Sequence, residues 1–542
     1  MNTASPEPLN ISRRQLLALI SISLSVALII VDSTIVNVAI PSIVKDLGIT
    51  STQVQWVQES YTLVFAALLL MFGALADRFG QKRLLTLGVV IFAGASVFAA
   101  LAPTGDLLIA SRVLQGVGGA MVLPTTLSLI NTGFTGRARG LAFAVWGSTI
   151  GGMVAVGPLL GGWLTTAFSW RWAFGINIPL GLLIIIGIAL TVVDAPRPAV
   201  LERIDVGGAV LSIVASATLV FGLIEGRTLG WWLSDAANPF VLAGWTWNLP
   251  LSPVPIALAM FVIATAVFIV RARRRESAGK PTLLSMQLFS IRSFRNGNIA
   301  ALIVSLGEFG IILALPLWLQ NVVGYDALQT GFVLLALALG SFFASGMSAG
   351  LSRKLTPIAM VRTGLAAEIV GVLGLAWAFS PTAGWLSITP FLFIYGIGVG
   401  LATAQLTGVI LQEVPVDRSG QGSGTQSTAR QVGSALGIAV LGTVLFTATG
   451  AVLDSQLHRE YPELSAEARS EVVDVVVVSA GAAIPQLTAE NPELGASAAT
   501  AFTDGTRLSA LVGAGFLLVG FAATFGLAPR REEAPHKQSA EA

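Results

Sequence analysis

Apolar stretches of roughly 20 residues recur along the whole chain, and the short segments between them hold nearly all of its charge. A helix needs about 20 residues to cross some 30 Å of hydrocarbon, so each stretch predicts a membrane-spanning helix. Fourteen such spans are read, at 16–40, 54–76, 84–102, 107–130, 141–167, 172–193, 206–224, 254–270, 299–322, 330–351, 358–378, 386–411, 432–452 and 508–527. The alternating strands of about ten residues that build a membrane barrel do not occur. The apolar run 472–484 is short and contains Asp474, which predicts a helix outside the membrane, within a long Ala- and Glu-rich outer loop over 453–506. The segment 230–247 carries Trp231, Trp232, Trp245 and Trp247, as expected of a stretch lying among lipid headgroups.

Charge fixes an orientation for this pattern. With the N-terminus inside, the cytoplasmic segments hold 24 of the 31 Lys and Arg residues, Arg430 among them; six lie outside and Arg112 falls within a span. Such asymmetry predicts cytoplasmic N- and C-termini and an even number of spans. The pair Arg13-Arg14 before the first span resembles an export signal, but thirteen further spans make it a topological anchor. Composition agrees: 54% of residues are hydrophobic, 11% are charged, and mean hydropathy is +0.79. The net charge of +2 is dispersed among loops, so no nucleic-acid surface is expected. Cysteine is absent and the two histidines, His458 and His536, lie apart, which leaves no metal centre to expect.

The chain repeats itself weakly. Aligning Gly73–Gly88 with Ala349–Gly364 sets Leu75 on Leu351 and Arg78 on Lys354; with a register four residues longer, Gly116 and Gly118 fall on Gly396 and Gly398. The predicted architecture is all-α, with a six-helix bundle over 1–195, a linker over 196–296 carrying two additional spans, and a second six-helix bundle over 297–542. Repeats of this kind are typical of secondary transporters.

Four segments carry chemistry. GALADRFGQKR, from Gly73 to Arg83, joins spans two and three; Gly73 and Asp77 share a helix face, the glycine permitting close approach and the carboxylate able to meet a base or a helix N-terminus. RVLQGVGGAMVLP places Arg112 inside span four, where a charge must face a partner or an aqueous cavity; its counterpart in the repeat is Leu392, so the architecture alone does not require it. GPLLGG puts Gly157, Gly161 and Gly162 beside the kinking Pro158 in span five. VDSTIVNVAIP buries Asp32 in span one. These four segments resemble the signatures of the major facilitator superfamily, and together they resemble its fourteen-span drug:proton antiporters, known as DHA2; QSTARQVGSALG, Gln426 to Gly437, adds a weaker likeness. The resemblance implies the superfamily's fold, a bacterial plasma membrane and an export function. It also implies that the loop of Gly73, Asp77, Arg78, Gly80 and Lys82 latches one state, that Arg112 takes part in proton transfer, and that Gly157, Pro158, Gly161 and Gly162 form the antiporter motif, with Met153 where the family usually has glycine.

Among other acidic residues, Glu308 and Glu368 lie deep in spans and are candidate proton or cation sites with Asp32 and Arg112; Glu225 and Glu413 sit near span ends, where solvated carboxylates are expected. Glu59, Trp56, Phe65 and Trp146 are candidate substrate contacts, the aromatic rings for cations. None of the five lysines lies in a GxxxxGK[ST] loop, so no nucleotide powers this chain directly. A proton gradient, with no cofactor, is the expected energy source. The expected partners are small amphipathic or cationic substrates, protons and the bilayer; the sequence does not set the oligomeric state and is compatible with a monomer. A dedicated exporter of a native metabolite, lipid or peptide is the alternative; an enzyme or sensor lacks any constellation to support it.

Overall fold

The computed structural model describes residues 11–49, 51–194, 205–226, 228–235, 239–242, 245–352 and 354–527. Seventeen helices dominate these residues because, in lipid, a helix satisfies every backbone group within its own segment. The N-terminal bundle consists of α1 (Arg13–Leu47), α2 (Ser51–Phe79), α3 (Gln81–Ala100), α4 (Gly105–Gly133), α5 (Gly136–Ala167) and the short α6 (Arg171–Gly175) running on into α7 (Asn177–Thr191). Two helices follow, α8 (Val206–Glu225) and α9 (Pro253–Ser277), joined by a segment holding a two-stranded hairpin, β1 (Val241–Leu242) and β2 (Trp245–Thr246). The C-terminal bundle comprises α10 (Arg292–Asn321), α11 (Ala327–Leu351), α12 (Pro357–Ala378), α13 (Trp385–Leu411), α14 (Ser419–Glu460) and α17 (Pro492–Ala523), with α15 (Ala466–Val478) and α16 (Ile484–Glu490) between the last two.

Twelve of the spans, α6 and α7 counting as one, are long and apolar enough to cross a membrane unbroken. The thirteenth is α5, bent by 42° between Gly136–Met153 and Val156–Thr165. Pro158 lacks the N–H that would bond to the carbonyl of residue 154, at that break. The fourteenth is α11, whose Leu328–Ala344 stretch is apolar but shorter. Local signals set the ends: Ser12 and Gln15 form a capping box at the start of α1, Gly48 at φ +62° ends it, and Asp326 with Gln329 caps α11.

The long outer loop expected over 453–506 is instead almost wholly helical. α14 continues to Glu460 and α17 begins at Pro492. These extensions are apolar along one stripe only, Leu453 and Leu457 on α14 and Ala498, Ala501 and Phe502 on α17, so mean hydropathy misses them; α15 and α16 close over that stripe with Val476 and Ile484. Of the charges counted for orientation, Arg197, Arg203, Arg227, Arg353, Arg530, Arg531 and Lys537 lie outside the described residues, as does the C-terminal tail from 528.

The repeat is visible as packing. A side chain at Gly88 would meet the carbonyl of Gly118 where α3 crosses α4, and one at Gly364 would meet that of Gly398 where α12 crosses α13. The two bundles meet along α5 with α11 and along α2 with α14.

Candidate functional site

Each bundle buries one cluster of charge. In the N-terminal bundle Asp32 lies on α1, fully buried. One of its oxygens accepts from Arg112 Nη1 at 2.5 Å; the other accepts from Gln115 Nε2 at 3.0 Å and Asn177 Nδ2 at 2.6 Å. The guanidinium also donates to Gln115 Oε1 and to the Val57 carbonyl, and lies 4.5 Å above the Tyr61 ring. Ser96 Oγ accepts from Gln115 and Asn177. Five helices, α1, α2, α3, α4 and α7, therefore contribute to one network, with the Asp32 carboxylate bound directly from α4 and α7. The cost of burying the pair is met by geometry: the carboxylate accepts from three side chains and the arginine is opposed by both charge and π-face. Gln115, one turn from Arg112 in the RVLQG run, and Asn177, a lone amide opening an apolar helix, completed a site whose charged members alone were expected.

The C-terminal bundle's cluster is less complete. Glu308 on α10 accepts from Thr403 Oγ1 at 3.2 Å and faces Arg430 Nη2 at 3.7 Å, too far for a hydrogen bond. Glu368 on α12, wholly buried, has no hydrogen-bond partner among the described residues for either carboxyl oxygen. Glu308 and Arg430 are the charges that act on it. The side-chain oxygen of Gln426, one turn before Arg430 on α14, is also buried without a partner. Arg430 was assigned to a cytoplasmic segment from its sequence; it lies within α14 with 15% of its side chain exposed, because α14 begins at Ser419 and so carries this stretch into the bundle.

Asp77, at the basal end of α2 on the side where α1 begins, reaches across to the other bundle. Its carboxylate accepts from the backbone N–H groups of Gly420 and Gln421, at 2.5 and 2.9 Å, in the first turn of α14. That helix has no capping side chain of its own, so the cap is supplied from α2, with the helix dipole adding to the attraction. Gly73 lies against the backbone of Gly420 and Gly424, closer than any side chain would allow. Within the same loop Gly80 turns at φ +96°, and Lys82 donates to the carbonyls of Ala189 and Val192, closing the end of α7. The Arg78 guanidinium sits 5.5 Å from the Phe79 ring.

In α5, Gly157 and Gly161 face Thr34 and Ile35 of α1, whereas Gly162 faces open space. Trp146 is buried, donating to Thr126 Oγ1 at 3.1 Å, and Phe65 is buried against Tyr61 at 5.7 Å between ring centres; both lie in the packed core. Trp56 is half-buried. Glu59 faces Glu225 of α8. Glu225, expected to be solvated at a span end, is 6% exposed, because α8 packs its last turn against α2. Glu413 is exposed as expected. Among the described residues no group of acidic or histidine side chains is arranged to hold a metal.

A family model described as the Major Facilitator Superfamily matches residues 22–251 and, again, 206–438. The chain is 30% identical to the multidrug resistance protein Stp of Mycobacterium tuberculosis, over 96% of this chain and 93% of that one. It is 31% identical to the multidrug efflux pump LfrA of Mycolicibacterium smegmatis, over 97% and 99%. Among solved structures, the human organic anion transporter MFSD10 superposes with a TM-score of 0.57 over 95% of this chain and all of that one, at 11% identity, a likeness of fold alone.

Proposed function

We propose, for a chain that belongs to the Major Facilitator Superfamily, that it exports drugs or other amphipathic, cationic compounds from a bacterium in exchange for protons. The superfamily is one of transporters, not enzymes, and the two relatives named for multidrug resistance and efflux match this chain nearly end to end. The observation that carries proton coupling is the Asp32–Arg112 pair: a fully buried carboxylate bound to an arginine whose counterpart in the repeat is leucine, within a network drawn from five helices. Protonating Asp32 would release Arg112, Gln115 and Asn177 together and so loosen the bundle around it. Glu308 and Glu368 are the matching candidates in the other bundle.

In this reading the chain is a multi-pass protein of the plasma membrane with both termini cytoplasmic, so the Asp77 latch closes the cytoplasmic side. Access would alternate as the α2–α14 contact opens and the bundles rock. The energy is adequate: one charge moving through the membrane potential is worth roughly 2.3 kcal/mol per 100 mV. No cofactor is needed, and a monomer holds both clusters.

The test is efflux of a fluorescent lipophilic cation from energised cells or inverted vesicles, with and without a protonophore, for the parent and Asp32→Asn. Protonophore-sensitive export is expected in the parent and absent from the variant, at equal amounts in the membrane. Export by Asp32→Asn equal to the parent's would remove Asp32 from the coupling. No export by the parent from a broad substrate panel would turn the search to a single native compound.

A further inference from the structure

The C-terminal cluster contains two carboxyl groups but one guanidinium. Two buried carboxylates beside one arginine would leave an uncompensated charge, whereas one carboxylate, one carboxylic acid and one guanidinium are neutral. The geometry divides the roles: Glu308 faces Arg430 and accepts from Thr403, while Glu368, with no partner for either oxygen, occupies the place of the uncharged acid. The contact of Arg430 with Glu308 is loose, at 3.7 Å, and Arg430 lines a very small, mostly apolar cavity with Ala301, Val304, Thr403, Leu406 and Gln426.

The helix that carries Arg430 is gripped at two levels. Gly420 and Gly424 lie against α2 at Gly73 and Leu69, and Gly433 and Gly437 lie against the backbone of α10 at Leu302 and Leu306. Arg430 sits between these contacts, about 15 Å along the axis from the N–H groups that Asp77 caps.

We propose that Arg430 is the positioning residue of this cluster, a single guanidinium exchanged between two carboxyl groups, and that α14 carries the exchange to the Asp77 latch at its own N-terminus. In the state described here Arg430 serves Glu308. When the O–H bond of Glu368 breaks and its proton is released to water, Glu368 becomes a second carboxylate and Arg430 turns to it; a proton taken up from water by either carboxylate restores the neutral trio, so the exchange depends on pH. α14 must shift with the side chain, because its glycines hold it in backbone contact on both sides. This rests on the reading of Glu308 and Glu368 as proton sites, and adds the residue and the helix through which they act.

Other charges on the packed elements are engaged elsewhere. On α12, Arg362 donates to Thr524; on α17, Arg507 binds Asp504 and the carbonyls of Ala376 and Phe379; on α2, Glu59 faces Glu225; on α4, Arg112 is bound to Asp32. Asp77 lies in the latch itself and is common to every variant below.

The absence of cysteine allows two unique labels, Phe79→Cys at the basal end of α2 and Val416→Cys in the turn before α14, both exposed positions. Spin labels there report the opening of the latch in lipid nanodiscs, without any transport assay. The distance is expected to titrate with pH in the parent and to lose part of that titration in Glu368→Gln, which fixes the neutral form, and in Arg430→Gln. Arg430→Lys is expected to restore it with a midpoint displaced by about one pH unit, a tenfold change in proton affinity. Any titration that remains in all variants belongs to Asp77. Superimposable titrations of the parent and Glu368→Gln would overturn the proposal. Should Arg430→Gln fail to fold, Arg430→Lys and Glu368→Gln decide it, and parent-like behaviour of both rejects it. A parent that titrates here but exports nothing in vesicles would sink the export reading and leave this one standing.

Discussion

The two bundles share an ancestry visible in their glycine crossings, yet they handle buried charge in opposite ways. In the N-terminal bundle Asp32 has an arginine and two amides, all within hydrogen-bonding distance. In the C-terminal bundle Glu308 has one hydroxyl and a distant arginine, and Glu368 has nothing. A satisfied network is rigid and costly to break; an unsatisfied one stands near the balance between two arrangements. On the proposed reading the first cluster would hold the bundle together until a proton arrives, and the second would change partners. The halves also differ at Arg112, whose counterpart Leu392 is a fully buried leucine.

The sharpest way to break this comparison is to make the halves alike. Arg112→Leu copies the second half into the first and leaves Asp32 as an uncompensated buried charge. Removing one member of such a pair costs about 3–5 kcal/mol, so a large fall in the unfolding temperature of the purified protein is expected. Adding Asp32→Asn to Arg112→Leu should recover most of it, because the orphaned charge goes too. A single variant as stable as the parent would mean that the pair is not structural, and the contrast between the halves would lose its physical basis.

How much of this was legible in the sequence follows from the same contrast. The spans and the need of Asp32 and Arg112 for a partner could be read because a charge in an apolar run must face a partner or a cavity. The latch partner could not: Asp77 binds backbone N–H groups of Gly420 and Gln421, some 343 residues away, and backbone donors leave no mark in a sequence. Arg430 was misplaced because the first turns of α14 are rich in Gly, Ser, Thr and Gln and read as a loop, although Gly420 and Gly424 there are the contact surface for α2. The helical extensions beyond the membrane were hidden by their amphipathic pattern. Glu225 looked like a solvated span end until α8 was seen to press it against Glu59.

A smaller effect sharpens the other side of the comparison. Glu368→Gln removes no hydrogen bond, since neither oxygen makes one, and exchanges a neutral acid for a neutral amide of nearly the same shape. Its cost should stay under about 1 kcal/mol, far below that of Arg112→Leu, when both are measured by thermal unfolding in the same detergent. A loss matching that of Arg112→Leu would show that Glu368 carries a charge and a partner after all. The two clusters would then be equivalent.

The smallest effect tests whether burial, and not the mere presence of an ion pair, separates the clusters from the rest of the molecule. Asp46, near the end of α1, accepts from Arg171 at 2.5 Å and from Trp170 at 3.0 Å, but 47% of its side chain is exposed. The bond from Arg171, and then that from Trp170, lowers its pKa below the ordinary 3.8. A carboxyl with a depressed folded-state pKa adds stability that is fully present above 3.8 and is lost as pH falls through the folded value. Asp46→Asn should therefore lower the unfolding temperature slightly at neutral pH, and the difference from the parent should vanish on strong acidification. Water and salt screen a contact this exposed, so the neutral-pH difference should also shrink in high salt. The Asp32–Arg112 pair, sealed among five helices, should ignore the salt. If both pairs respond alike, exposure is not what sets Asp32 apart, and the coupling assigned to it would have to rest on its neighbours Gln115 and Asn177 instead.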